Sequence, residues 1–459
     1  MSEVTRRQFL KQVGGLIAPV ALSSSSVLGV PGLANSLAGA GKTPRRKPNI
    51  IFILADDLGY GDLGCYGQEQ IRTPCIDQMA KEGVRFTDCY SGATVCAPSR
   101  CTLMTGQHTG HCWVRGNRSR ATNERVPLRP EDTTVAQVLK EAGYATGIVG
   151  KWGLGEPDTT GIPNRKGFDY WFGYLNQARA HEYYTDYLWR NEEKVNLPPG
   201  TYSHDLFTQE ALDFIGREKD KPFFLYVAYT IPHAKIQVPS DDPYTDEPWS
   251  ENARKFAAMI TRMDRDVGKM MELLKELGID DNTIVFFTSD NGPHSEGGHD
   301  ARTFKSSGPL RGMKRDLYEG GIRVPMVVRW PGKTAPGRTN SQPWAFWDFL
   351  PTAVEIAGAK PPDGIDGISM LPAILGRKQK HDHEYLYWEF HEGGGKQALR
   401  FGNWKAVRNK QGKPIELYDL KTDLGEQHDL SAQHPDLVKK AEELMKSAHV
   451  PSKDWPDGG

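Results

Sequence analysis

The stretch Asn49-Ile50-Ile51-Phe52-Ile53-Leu54-Ala55-Asp56-Asp57 decides the fold, because an unbroken apolar run ends abruptly in two carboxylates. Apolar runs rich in β-branched and aromatic residues, without alternation, are typical of strands buried on both faces of a parallel sheet. Three further runs also lead into polar side chains: Tyr144 to Gly150 before Lys151, Pro222 to Tyr229 before His233, and Thr283 to Ser289 before Asp290-Asn291. Since ligands of open α/β sheets bind beyond the carboxyl ends of strands, we predict a functional site at that edge.

Helical patterns lie between and after these runs. Apolar residues recur at helical spacing from Asn252 to Leu277, and shorter helices are predicted over Thr133 to Ala142 and Trp344 to Ala357. We therefore predict an α/β fold with a large, mixed, mostly parallel sheet flanked by helices over residues 47–360.

A break at Pro361-Pro362-Asp363-Gly364 separates this part from a differently patterned C-terminal region. Turn residues there divide four short predicted strands, which are Tyr385 to Phe390, Gln397 to Phe401, Trp404 to Val407 and Glu416 to Leu420. A last helix is predicted over Asp436 to Ser447. Residues 361–459 are therefore expected to form a small α+β domain, an antiparallel sheet plus a helix.

Residues 1–40 have the pattern of an export signal. Paired arginines, Arg6-Arg7, precede an apolar segment from Gly14 to Leu22 and a small-residue end at Ala38-Gly39-Ala40. This pattern predicts a twin-arginine-type signal peptide, the Tat export machinery as a partner, and a periplasmic or secreted bacterial protein. The alternative is a disordered cytosolic tail. No later apolar run approaches the roughly 20 residues of a membrane span, so no integral membrane segment is expected in the mature chain.

Composition narrows the function further. The 459 residues carry 57 Lys and Arg against 58 Asp and Glu, and this neutral balance argues against a nucleic-acid partner. All six cysteines fall between Cys65 and Cys112, which is unlike a disulfide framework spread over a large chain. If one of them is used chemically, at least one of the other five is free or pairs outside the set; the pairing stays open.

The most specific motif is Cys96-Ala97-Pro98-Ser99-Arg100, followed by Cys101-Thr102-Leu103-Met104-Thr105-Gly106. Pro98 suits the first position of a helix, whose free N–H groups can face an anion. The pattern resembles the signature of type I sulfatases, in the alkaline phosphatase superfamily. The resemblance extends over residues 47 to about 420 and implies an alkaline phosphatase-like fold. It also implies that Cys96 is oxidised to formylglycine (3-oxoalanine) by a formylglycine-generating maturation enzyme. The hydrated aldehyde would then be the nucleophile.

Two acidic pairs form a second set of candidate residues. Asp56-Asp57 and Asp290-Asn291 offer only oxygen ligands, which favours Ca²⁺ or Mg²⁺ over Zn²⁺. Each pair alone could instead cap a helix or form a turn. The resemblance implies that all four residues bind one Ca²⁺ per chain, together with an oxygen of the modified Cys96.

Cationic residues form the third set. The resemblance implies that Lys151 and Lys314 bind sulfate, that Arg100 orients the formylglycine, and that His233 protonates the leaving oxygen. The family commonly has a histidine two residues after the first lysine, as the base that releases sulfate. Gly153 stands there in this chain. We predict that another group supplies the base, with His181 as the first candidate.

Substrate-binding residues are predicted from their loops near these motifs. His181, Arg115 and His299 are the main candidates for contacting a sugar, together with His108, His111 and Arg302. The aromatic-rich segment from Tyr170 to Trp189 could stack on a sugar, although most of its rings are expected in the core.

The sequence thus predicts an exported, calcium-dependent sulfatase, a sulfuric ester hydrolase acting on sulfated carbohydrate or a small sulfated molecule. Two alternatives remain. One is a phosphatase or phosphodiesterase of the same superfamily, with a Ser or Thr nucleophile and two zinc ions. The other is a non-catalytic binder of sulfated glycans, suggested by Gly153.

Overall fold

A computed structural model of the protein describes residues 47–457. The predicted signal peptide over residues 1–40 lies outside the described residues. Between residues 47 and 457 no helix is both long and apolar enough to cross a membrane.

The strands of the described residues are, in chain order, β1 (Asn49–Asp56), β2 (Val84–Phe86), β3 (Cys89–Tyr90), β4 (Ala145–Lys151), β5 (Tyr170–Tyr174), β6 (Tyr187–Arg190), β7 (Glu193–Asn196), β8 (Phe223–Pro232), β9 (Thr283–Ser289), β10 (Met326–Arg329), β11 (Arg338–Asn340), β12 (Trp344–Ala345), β13 (Leu386–Phe390), β14 (Lys396–Phe401), β15 (Trp404–Arg408) and β16 (Glu416–Asp419). The helices are α1 (Pro74–Glu82), α2 (Cys96–Thr105), α3 (Val135–Glu141), α4 (Ser203–Glu218), α5 (Glu251–Glu276), α6 (Glu319–Ile322), α7 (Phe349–Ile356), α8 (Leu371–Ile374) and α9 (Pro435–Ser447).

Ten strands form one large mixed sheet in the order β11-β2-β10-β9-β1-β8-β4-β5-β6-β7. Its centre, β9-β1-β8-β4-β5, is parallel throughout, whereas β10, β6 and β7 run antiparallel to their neighbours. The predicted fold class is confirmed. The four apolar runs that end in polar residues are the four adjacent strands β9, β1, β8 and β4.

Helices cover both faces of this sheet. Successive side chains of a strand point to opposite faces, so a strand whose interior is entirely apolar, such as β1, must be buried on both. Ile50, Phe52 and Leu54 of β1 pack into a core shared with α2, α3 and α7. Ile51 and Ile53 pack into a second core shared with α1, α4 and α5. Burial on both faces explains why the sequence of β1 shows no alternation.

The helix predicted over Trp344 to Ala357 begins later than expected. Trp344 and Ala345 pair in parallel with β3, and α7 starts only at Phe349. The carboxylate of Asp348 accepts a hydrogen bond from the Ala345 amide at 2.8 Å and so closes a tight turn ahead of the helix. The apolar pattern is continuous through this turn, so it gave no sign of the boundary.

The C-terminal region contains the predicted antiparallel sheet, β13-β14-β15-β16, with α9 packed against it. The boundary at residue 360 stays a prediction. A side chain of this sheet reaches the loop between β3 and α2. Trp388 of β13 donates a hydrogen bond to the Ser91 carbonyl at 2.9 Å. All six cysteine thiols are free.

A buried glutamate joins the C-terminal sheet to the loop that follows α2. Glu389 of β13 accepts hydrogen bonds from Arg115 Nη1 at 3.1 Å, His391 Nε2 at 2.9 Å and His449 Nδ1 at 2.8 Å. Burial raises the pKa of Glu389, but these three partners outweigh it and lower the pKa to about 2. The ionised carboxylate therefore holds three chain segments together.

Replacing Glu389 by Ala is expected to lower the free energy of unfolding by about 3–5 kcal/mol at pH 7, because Arg115 is left buried without its counter-charge. The stabilisation by the ionised Glu389 is present above its unfolded pKa of about 4.3 and is lost as the pH falls towards 2. Urea unfolding at pH 7 and pH 3 measures both effects. Glu384→Ala, at an exposed glutamate, is the matched control. An equal, small change in both variants would contradict this role for Glu389.

Candidate active site

The ends of four adjacent strands bring the predicted site residues together. β1 ends at Asp56, β4 ends at Lys151, β8 leads into His233, and β9 leads into Asp290 and Asn291. Asp57 directly follows β1 with a left-handed backbone (φ +67°), which turns the chain sharply. The Asp57 amide then donates a hydrogen bond to Asp290 Oδ1 at 3.1 Å, which fastens the two acidic pairs to each other.

The acidic residues form a compact set of oxygen atoms. Asn291 Nδ2 donates to Asp57 Oδ1 at 2.6 Å, while Asn291 Oδ1 is buried without a hydrogen-bond partner. One potential ligand atom from each of Asp56, Asp57, Cys96 and His233 lies within 4.8 Å of the others. An unpartnered amide oxygen among buried carboxylates fits a hard divalent cation. The site residues therefore suit the metal predicted from the sequence. His233, which was not predicted as a metal ligand, lies close to these ligand atoms.

Cys96 occupies the first turn of α2, next to the acidic set. Its Sγ donates a hydrogen bond to Asp56 Oδ1 at 3.3 Å. Burial and the neighbouring Asp56 raise the pKa of the Cys96 thiol, so the unmodified thiol stays protonated and is a poor nucleophile. The sequence predicts Pro98 at the first position of the helix, but the helix already begins at Cys96 and Pro98 is its third residue. Its missing N–H is still harmless there, since the first turn has no intrahelical acceptors.

Three buried cations pair with the three carboxylates. Lys151 Nζ lies 2.6 Å from Asp56 Oδ2, and Lys314 Nζ lies 2.7 Å from Asp57 Oδ2. Arg100 donates to Asp290 Oδ2 through Nη2 at 2.7 Å and through Nε at 3.1 Å.

These ion pairs keep both lysines charged. Burial lowers the pKa of each lysine, but the paired carboxylates outweigh it and raise both values. The three cations balance the three carboxylates when all are ionised, but burial and the neighbouring Asp56 raise the pKa of Asp290 to about 7. An added divalent cation would favour the ionised form of Asp290 and make the site attractive to an anion.

His233 lies between two other side chains of the site. Its Nε2 accepts a hydrogen bond from Lys314 Nζ at 2.9 Å, and its ring stacks on His181 at a centroid distance of 3.7 Å. Burial and the Lys314 charge lower its pKa, and Asp57 only partly opposes them, leaving it at about 4. Tyr183, a buried ring of the aromatic-rich segment, fixes the segment by donating to the Thr230 and His233 carbonyls at 2.8 and 2.5 Å.

Of the predicted substrate-binding residues, His181 directly contacts one predicted catalytic residue, His233. Arg115 is buried against Glu389, and His299 stacks on Phe256 at 3.7 Å. The remaining candidates, His108, His111 and Arg302, pair with acidic residues: the first two with Asp366 and the third with Asp300. Roles for Arg115 and His299 in substrate binding stay predictions.

The glycine at position 153 is accommodated by a residue that the sequence did not single out. Gly153 has a φ of +79°, and a Cβ there would lie 2.2 Å from Gln177 Oε1. Gln177 therefore fills the space beside the Lys151 strand that a side chain at position 153 would occupy. Gln177 follows β5 closely in the sequence, and β5 pairs with β4, so its position indicated a side chain near Gly153.

Comparison with known proteins agrees with this geometry. The Sulfatase family profile matches residues 48–359, and the profile described as "N-sulphoglucosamine sulphohydrolase, C-terminal" matches residues 313–450. The chain is 35% identical over 421 residues to an N-acetylgalactosamine-6-sulfatase of Canis lupus familiaris, covering 85% of this chain and 77% of that protein. It is 30% identical to an N-acetylgalactosamine-6-O-sulfatase of Bacteroides thetaiotaomicron, covering 88% and 93%.

A solved structure is similar over nearly the whole chain. The crystal structure of Ps i-CgsB in complex with k-i-k-neocarrahexaose superposes with a TM-score of 0.78 at 32% identity, covering 90% of this chain and 95% of that one. The chain belongs to the sulfatase family of the alkaline phosphatase superfamily, as the signature around Cys96 predicted. It is accordingly a sulfuric ester hydrolase.

Removing Arg100 tests whether it orients Asp290, one of the predicted metal ligands. Arg100→Ala is expected to weaken Ca²⁺ binding by about 10- to 100-fold, the usual loss when a group that orients a metal ligand is removed. Calorimetric titration of chelator-treated protein with Ca²⁺, and separately with Zn²⁺, measures this. We expect one Ca²⁺ site in the wild type. Arg302→Ala, at an exposed arginine, is the control. Unchanged Ca²⁺ affinity in Arg100→Ala, or two tight Zn²⁺ sites in the wild type, would contradict the assignment.

Proposed function

We propose that the protein is an exported carbohydrate sulfatase that uses a formylglycine made from Cys96 and one bound Ca²⁺. The observation that carries the proposal is the position of Cys96. It lies at the start of α2, 3.3 Å from Asp56, and faces the three carboxylate–cation pairs. Oxidised to formylglycine, the residue would present a hydrated aldehyde to a sulfate ester held there. Ca²⁺ held by Asp56, Asp57, Asp290 and Asn291 would polarise and neutralise a sulfate oxygen.

The chain's own cations hold the rest of the sulfate group. Lys151 and Lys314 contact neighbouring acidic residues, Asp56 and Asp57 respectively. Charges fixed in a buried site stabilise a transferring anionic group without reorganising, which is commonly the largest contribution to catalysis. Arg100 stays on Asp290 and orients it, while its Nη1 also donates to the Lys151 carbonyl at 3.0 Å.

Proton transfer to the leaving sugar oxygen falls to His233. The Lys314 ammonium donates to its Nε2, so the two groups share a proton path 2.9 Å long. Because the lowered pKa leaves the resting ring neutral, the proton delivered to the sugar alkoxide as the S–O bond breaks would come from the Lys314 ammonium through His233 Nε2. Water completes the hydrolysis, and the products are the sugar alcohol and inorganic sulfate.

His181 is the proposed base for sulfate release. Burial, together with the charges of Lys151 and His233, lowers its pKa to about 2 and keeps the ring neutral in the resting site. The negative charge of a sulfate group bound beside it would raise this pKa towards the range that a base needs. Its Nε2 is buried without a hydrogen-bond partner. The ring lies against His233, and therefore beside the reacting groups.

The substrate class and the location rest on different observations. Relatives named for N-acetylgalactosamine sulfate esters and a neighbour bound to a carrageenan oligosaccharide support a sulfated sugar. The twin-arginine pattern at Arg6-Arg7 supports Tat export to the periplasm or beyond. A formylglycine-generating enzyme would be the maturation partner.

Cys96→Ala is expected to abolish turnover, by at least about a thousandfold, while the melting temperature changes little, because nothing else in the site can form the covalent bond. Sulfate release from sulfated oligosaccharides measures activity, and mass spectrometry of the peptide containing residue 96 shows whether the thiol has been oxidised. Cys75→Ala, at a free half-buried thiol on α1, is the control. Activity of Cys96→Ala within tenfold of wild type would refute the nucleophile, and an unmodified Cys96 in active protein would refute formylglycine.

His181→Ala is expected to slow sulfate release more than alcohol release, because only the second half of the reaction needs the base. Stopped-flow measurement should show a burst of alcohol product and then slow turnover. His434→Ala, which removes a ring that packs against Trp404 in the C-terminal sheet, is the control. A higher KM without a burst would make His181 a sugar ligand instead. Wild-type kinetics would exclude both roles.

A further inference from the structure

A cleft of about 260 Å³ lies directly behind the loop that carries His181. Its walls include Glu156, Asn176, Arg179, Tyr187 and Trp189. The volume is below the roughly 300–1,000 Å³ of clefts that hold drug-sized ligands, and it suits a single sugar ring.

The cleft and the active site share one wall, the segment 174–181. The carbonyls of Tyr174 and Leu175, which line the cleft, accept hydrogen bonds from the Trp152 and Gly153 amides at 3.0 and 3.2 Å. Those amides directly follow Lys151. At the other end of the segment, Arg179 lines the cleft while His181, two residues on, stacks on His233. The segment 174–181 therefore separates two neighbouring regions, the sulfate site and the cleft.

The lining has the side chains that sugars use. Tyr187 is occupied, since Arg179 and Lys194 lie over its ring at 3.6 and 3.7 Å from the centroid. Trp189 is half-buried and meets Tyr187 edge-on at 6.4 Å, which leaves an indole available to the cleft. Asn176 donates to Glu156 Oε1 at 2.9 Å and accepts from the Ala178 and Arg179 amides, so the amide and the carboxylate are held in fixed positions in the wall. The Arg179 guanidinium is held by Asp186.

We propose that this cleft binds the sugar unit next to the sulfated one in a glycan chain, with Trp189 as the stacking platform and Arg179 and Asn176 as polar contacts. The inference rests on the proposed sulfatase function and adds to it that the substrate is an oligosaccharide or polysaccharide, held at two consecutive rings. Stacking on an indole suits the apolar face of a sugar ring, and the guanidinium suits its hydroxyl, carboxylate or sulfate groups.

The test compares substrates with and without the second ring. Wild-type protein is assayed on a sulfated oligosaccharide that it hydrolyses, on the sulfated monosaccharide from the reacting end of that oligosaccharide, and on 4-methylumbelliferyl sulfate. Trp189→Ala is expected to lower kcat/KM for the oligosaccharide by about five- to tenfold, the loss typical of a stacked ring pair, and to leave the other two unchanged. Trp189→Phe should restore most of the loss, and Arg179→Ala should act in the same direction as Trp189→Ala.

Trp404→Ala, at another half-buried tryptophan, in β15, is the control for a general effect of losing an indole. Equal losses by Trp189→Ala on all three substrates, or no loss on the oligosaccharide in either Trp189→Ala or Arg179→Ala, would overturn the second-ring site. So would equal wild-type kcat/KM on the oligosaccharide and the monosaccharide. Failure of the wild type on every sulfate ester would instead overturn the proposed function itself. Melting curves of Trp189→Ala and Trp189→Phe show whether a variant is folded; if the alanine variant is not, Arg179→Ala decides.

Discussion

The structure depends on three buried ion pairs at the carboxyl end of the parallel strands: Asp56 with Lys151, Asp57 with Lys314, and Asp290 with Arg100. Moving charges out of water costs several kcal/mol per ion, and a buried pair recovers this only with close geometry. Each of these pairs has a contact of 2.6 to 2.7 Å, and their groups come from β1, β4, β9, α2 and the loop before α6. The alignment of the strands in the sheet therefore determines which charged side chains lie next to each other.

A balanced charge set also explains how one site can bind a cation and an anion. Asp56 and Asp57 are held ionised by the neighbouring cations, burial raises the pKa of Asp290, and the amide oxygen of Asn291 is left without a partner. A divalent ion placed among these oxygens would neutralise part of the carboxylate charge. Lys151 and Lys314 would then attract an incoming sulfate group more strongly. The same lysines then serve the resting protein as counter-charges and the reaction as anion ligands.

Much of this was predictable, because strand-forming runs and the polar residues that end them are local in sequence. The acidic pairs, Lys151 and His233 were placed by their strands, and Cys96 and Lys314 by motif resemblance. Features that depend on non-local packing were not predictable. Asp348 closes a turn inside a continuous apolar pattern, Glu389 holds Arg115 in a buried ion pair, and Gln177 occupies the space at Gly153. Each of these needs a partner distant in the chain.

The measurement that tests the central claim most directly is product analysis with protein matured by a formylglycine-generating enzyme. The protein is incubated with sulfated oligosaccharides and, separately, with phosphate mono- and diesters, and ion chromatography quantifies the released anions with and without a calcium chelator. The account predicts inorganic sulfate from the oligosaccharides, suppressed by the chelator and restored by Ca²⁺. Efficient hydrolysis of the phosphate esters without any sulfate release would contradict it.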